Sequence, residues 1–103
     1  EHAVPLSEEA LSRINNNSLS IDIYVWLAYR LHALDGRTPL TWKALHHQFG
    51  AGYRRQRDFR KRFSEAFELA VAVYPDAQAE LSEDGLTLYP SRPPVTPRRV
   101  AIP

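Results

Sequence analysis

The chain has 103 residues, 44% of them hydrophobic and 24% charged, with a formal net charge of +1 and neither cysteine nor methionine. That length suits one domain with a single core, and the lack of cysteine excludes disulfides and thiolate metal sites. No apolar run approaches the roughly 20 residues that span a bilayer and no signal-peptide pattern opens the chain, so the cytosol is the default compartment. Without a methionine, the opening EHAVPLSEEA reads as an internal cut, and a piece of a longer protein is expected.

In chain order, Ser7 followed by Glu8, Glu9 and Ala10 is an N-cap with acids in the first turn, and Leu11 and Ile14 give a short first helix that Asn15-Asn16-Asn17 stops. Ser20 is the expected cap of a second helix running to about Leu34 and ended by Asp35-Gly36. Ile21, Ile23, Tyr24, Val25, Trp26, Leu27, Ala28, Tyr29 and Leu31 make it apolar nearly all round, which predicts burial on several sides. Pro39 forces Thr38 extended, so Thr38 to Leu40 reads as a short edge strand. Thr41 caps a third helix, Trp42 to Phe49, punctuated by Gly50.

After Gly50-Ala51-Gly52, a fourth helix is expected from about Tyr53 to Tyr74, halted at Pro75. Phe59, Phe63, Ala66, Phe67, Ala70 and Tyr74 repeat along it at helical spacing and form one core-facing stripe. Ala77, Ala79 and Leu81, then Leu86 and Leu88, alternate on either side of Asp84-Gly85, a hairpin signal with Asp-Gly making the turn. The order helix, helix, short strand, helix, helix, hairpin predicts a mainly α domain with a small β-hairpin, a winged helix-turn-helix, over residues 1–90. From Pro90 onward there are five prolines in fourteen residues, so residues 91–103 read as a proline-rich basic tail, with Arg92, Arg98 and Arg99 available for loose phosphate contact.

Charge is distributed unevenly. Arg54, Arg55, Arg57, Arg60, Lys61 and Arg62 stand within nine residues with Asp58, a local net charge of +5, so the rest of the chain sums to −4. On a helical wheel Arg54, Arg57 and Lys61 lie opposite the phenylalanine stripe, with Arg55, Arg60 and Arg62 on its flanks, while Glu65 and Glu68 reverse the sign further along. Asp58 with Arg62 and Lys61 with Glu65 are spaced to pair at i, i+4. A solvated charged face is the bland reading. Confinement of the charge to the first turns, after a short helix and a glycine-containing turn, favours a polyanion-binding face instead.

Searches for chemistry return little. His46 and His47 are adjacent and point about 100° apart on a helix, so they do not converge on a metal. The Gly50-Ala51-Gly52 stretch lacks the lysine and spacing of a phosphate loop, and no serine stands in a hydrolase pattern. Trp42 and Tyr53 flank the third helix, where such aromatics more often pack in the core or hinge than touch a groove. No catalysis, cofactor or metal is expected.

The segments IDIYVWLAYRL, LTWKALHHQFG and RDFRKRF, within a match over roughly Ser18 to Val95, resemble the C-terminal region of RepA-type plasmid replication initiators. The resemblance implies a domain that binds double-stranded DNA at a plasmid origin and helps recruit host replication proteins. It places the DNA contacts on Arg54, Arg55, Arg57, Arg60, Lys61 and Arg62. A homodimer is among the partners considered, and a membrane is not. A transcriptional regulator of the same fold, or a winged helix that docks a protein through its hairpin or tail, are the alternatives. The acidic hairpin tip, Ser82-Glu83-Asp84-Gly85, fits poorly against phosphates, so the expected wing stands off the DNA.

Overall fold

The computed structural model describes residues 6–94. Five elements follow the expected order: α1 (Glu8–Arg13), α2 (Ser18–Leu31), β1 (Thr38–Thr41), α3 (Trp42–Phe49) and α4 (Gln56–Ala72), followed by β2 (Gln78–Leu81) and β3 (Gly85–Tyr89). The three strands form one antiparallel sheet in the order β1-β3-β2, with Thr41 opposite Gly85 at one end and Gln78 opposite Tyr89 at the other. The fold is thus mainly α with a small three-stranded sheet, in which the edge strand β1 joins the β2–β3 hairpin. β1 is the edge strand that Pro39 requires, since proline cannot donate to a ladder.

The caps explain most boundaries. The Ser7 hydroxyl accepts from the Ala10 N–H and the Thr41 hydroxyl from the Ala44 N–H, as expected. α2 differs: Asn17 caps it, its carboxamide oxygen accepting from the Ser20 N–H, and the helix ends at Leu31, not Leu34. Ser20 lies one turn inside instead, fully buried, where its hydroxyl donates to the Ala66 carbonyl of α4 at 3.1 Å. α4 also starts later and stops earlier than Tyr53 to Tyr74, so Arg54 and Arg55 belong to the connection from α3 and Tyr74 follows the helix.

The core is built where the faces of α2, α3 and α4 meet the sheet. Ile23, Tyr24, Leu27 and Leu31 of α2 pack with Trp42 and Leu45 of α3, with the whole Phe59-Phe63-Ala66-Phe67-Ala70 stripe, with Tyr74, and with Leu86 and Leu88 of β3. Phe63 sits at the centre of the aromatic contacts, with ring centroids 5.8 Å from Trp42, 5.6 Å from Phe49 and 5.5 Å from Phe59. α2 is less enclosed than its composition predicts: its other face, with Ile21, Val25 and Trp26, is half-buried, and Tyr29 is 48% exposed.

Two further corrections concern the ends of the sheet. The hairpin turn centres on Glu83-Asp84, closed by hydrogen bonds between Ser82 and Gly85 in both directions, so Asp-Gly does not make the turn. Gly85 has φ of 146°, and a Cβ there would run into the Leu40 carbonyl of β1; glycine is required for strand approach. The proline-rich segment is anchored where it is described: the Ser91 N–H donates to the Leu31 carbonyl, the Gln78 N–H donates to the Ser91 hydroxyl, and the Tyr74 hydroxyl donates to the Arg92 carbonyl at 2.6 Å. Arg98 and Arg99 lie outside the described residues.

Candidate nucleic-acid interface

The six basic residues divide into three groups by what surrounds them. Arg54 and Arg55 are exposed on the six-residue connection between α3 and α4, with Arg55 in the N-cap position but supplying no side-chain cap. Arg57 and Lys61 are exposed on the outer face of α4, one turn apart and opposite the buried phenylalanines. The last pair is engaged within the protein. Arg60 is half-buried with its guanidinium 4.9 Å from the centroid of the Trp42 ring, a cation–π contact, and Arg62 lies 3.7 Å from Glu65. That ion pair replaces both pairings expected from i, i+4 spacing, and it is the one salt bridge among the described residues. Arg54, Arg55, Arg57 and Lys61 therefore hold exposed charges with no acidic partner within 4 Å among the described residues.

The connection that carries Arg54 and Arg55 is held tightly at its start. His46 stacks on Phe59, with ring centroids 4.9 Å apart and planes 8° from parallel, and its Nε2–H donates to the Tyr53 carbonyl at 2.8 Å. A carbonyl only accepts, so this contact assigns the ring proton to Nε2. Gly50 lies so close to the His46 and Phe59 rings that a Cβ would collide with both. Through these contacts the α3 end, the turn and the first turn of α4 become one packed unit. His46 is thus a structural residue and His47 an exposed one. No cluster of three metal-binding side chains occurs among the described residues.

The hairpin tip is attached to the other end of α3. Trp42 uses both of its donors there: the indole N–H donates to the Ser82 carbonyl at 3.0 Å and the backbone N–H to the Asp84 carbonyl at 3.3 Å. The two-residue turn lies flush with the start of α3 and does not project as a long loop. Glu83 and Asp84 are exposed there, at the helix end where the peptide dipoles favour negative charge. Reasoning from sequence treated Trp42 as a core aromatic, which it is, and missed that it joins Arg60 on one side to the hairpin on the other. Those contacts span 18 and 40 residues, beyond the reach of any local pattern.

No helix among the described residues is long and apolar enough to cross a membrane. Compared with protein-family models, with curated proteins and with solved structures, the chain matches none.

Proposed function

We propose that this chain is a winged-helix module that binds double-stranded DNA through the connection before α4 and that helix's outer face, as the origin-binding part of a plasmid replication initiator. The observation that carries the reading is the concentration at one end of α4 of four exposed cations, Arg54, Arg55, Arg57 and Lys61, that have no acidic partner among the described residues. Unpaired charge held on a packed support attracts a polyanion without first breaking internal ion pairs. In support of the winged-helix reading, α2, β1, α3, α4, β2 and β3 follow that fold's order, with β3 between the other two strands. The initiator reading rests on the resemblance of IDIYVWLAYRL, LTWKALHHQFG and RDFRKRF.

In this reading α4 enters the major groove, Arg57 and Lys61 reach base edges, and Arg54 and Arg55 hold the phosphate backbone. Arg60 positions α4 against Trp42, and no cofactor or catalytic step is involved. The short acidic turn stays off the phosphates. Titrating labelled origin duplex and scrambled duplex over a salt series tests this. At roughly 0.9 per phosphate, the two backbone contacts of Arg54 and Arg55 alone give a log–log salt slope of about −1.8, with tighter binding to the origin. Equal affinity for both duplexes contradicts the initiator assignment, and a slope near zero contradicts DNA binding.

A further inference from the structure

The two edges of the sheet differ in what they leave open. Ser82 and Gly85 exchange both of their backbone hydrogen bonds, and in an antiparallel ladder bonded and non-bonded pairs alternate, so Glu80 with Thr87 is the next bonded pair. The N–H and C=O groups of Ala79 and Leu81 therefore turn away from β3, to a side where no further strand lies and no other described residue takes them. The opposite edge is closed. There the same alternation turns residue 39 outward in β1, and proline has no N–H to offer. β2 contains neither proline nor lysine, and its residues alternate: Gln78 and Glu80 are exposed, while Ala79 and Leu81 are half-buried against the rim of the core.

Charge decides what such an edge accepts. From Phe63 to Ser91 the chain has six carboxylates and no lysine, arginine or histidine. Four of the six, Asp76, Glu80, Glu83 and Asp84, lie on β2 or on its two flanks, are exposed, and have no ion pair within 4 Å among the described residues. We propose that the β2 edge is a docking site for an extended segment of another protein in which lysine or arginine alternates with small apolar residues. The segment adds a fourth strand to the sheet. Its backbone bonds to Ala79 and Leu81, its cations meet Glu80 and the flanking carboxylates, and its apolar residues continue the half-buried row of Ala79 and Leu81. A second copy of this chain is a worse occupant, because pairing β2 with itself sets carboxylates beside carboxylates. The proposal is independent of DNA binding by α4.

The probe is a fluorescein-labelled peptide of alternating lysine and valine, titrated against the full chain by anisotropy, with amide hydrogen exchange to read the geometry. Binding should protect the Ala79 and Leu81 amides, and a peptide of alternating glutamate and valine should not bind. Ala79→Pro removes one outward donor and leaves the β2–β3 bonds in place, so it should weaken the lysine peptide by about fivefold. Glu80→Lys, at an exposed position that leaves the backbone unchanged, should weaken the lysine peptide by about tenfold and admit the glutamate peptide. Failure of the lysine peptide to bind the parent chain, or binding that leaves both amides exchanging freely, overturns the proposal. Protection of Ala79 and Leu81 in the chain alone also overturns it: in a monomer by sedimentation the occupant is then a segment of this chain, and in a dimer it is a second copy.

Discussion

Tyr74 ties three parts of the chain together through one side chain. It is fully buried, its ring meets that of Tyr24 edge-on at 6.0 Å, and its hydroxyl donates to the Arg92 carbonyl. Burial, then the nearby Asp76 carboxylate, then Tyr24 push its pKa up from 10.0 to about 12. Below pH 10 the phenol is protonated whether the chain is folded or unfolded, and stability is unaffected. Between pH 10 and 12 the unfolded chain releases a proton that the folded chain largely keeps, so stability should fall there, by less than about 1.4 kcal/mol per pH unit. Urea midpoints measured across this range should show the decline, and Tyr74→Phe should flatten it. Phe63, fully buried among four other aromatic rings, makes a different prediction. Phe63→Ala should cost about 3–5 kcal/mol, a large part of a small domain's stability, read from denaturant unfolding. A loss below about 1 kcal/mol would mean the stripe is not the core.

Among the elements, those set by neighbouring residues were legible in the sequence. α3 runs from its Thr41 cap to Gly50 as the pattern indicates, and the phenylalanine stripe is buried over its whole length. Where two local signals compete, tertiary contacts decide. Asn17 and Ser20 are both good caps, three residues apart; the Ala66 carbonyl takes the Ser20 hydroxyl inside the core and leaves Asn17 as the cap. Arg54 and Arg55 are acceptable helix formers, but the clamp of His46 on Phe59 and Tyr53 sets the path of the connection and delays α4 to Gln56. Asp84-Gly85 looked like a hairpin turn because a short sequence window contains no third strand, whereas β1 needs the glycine for its own approach. The hairpin also carries a prediction. Glu83→Ala with Asp84→Ala removes the only charges on its tip, so DNA affinity should hold or tighten by less than about 1 kcal/mol, with a slight fall in melting temperature as α3 loses favourable charge at its start. A tenfold weakening would place the tip against the DNA.

Across the molecule, charge and attachment points are segregated. The densest group of cations, Arg54, Arg55, Arg57 and Lys61, stands around the start of α4, while the described proline-rich residues are held beside Tyr74, beyond the helix's last turn. A 17-residue helix is about 25 Å long, so Arg92 starts from the far end and does not belong to the basic cluster. The division of the six basic residues, with Arg60 on Trp42 and Arg62 beside Glu65, was not legible in the sequence because it depends on which neighbours the fold brings within reach. It leaves Arg57 and Lys61 as the outward pair on α4, and these decide the account. Arg57→Glu with Lys61→Glu, measured for origin-duplex affinity by anisotropy and for stability by thermal melting, tests the central claim most directly. The account predicts that binding is abolished while the melting temperature moves by no more than a few degrees, because both side chains are exposed. Unchanged affinity in a folded double variant would contradict it.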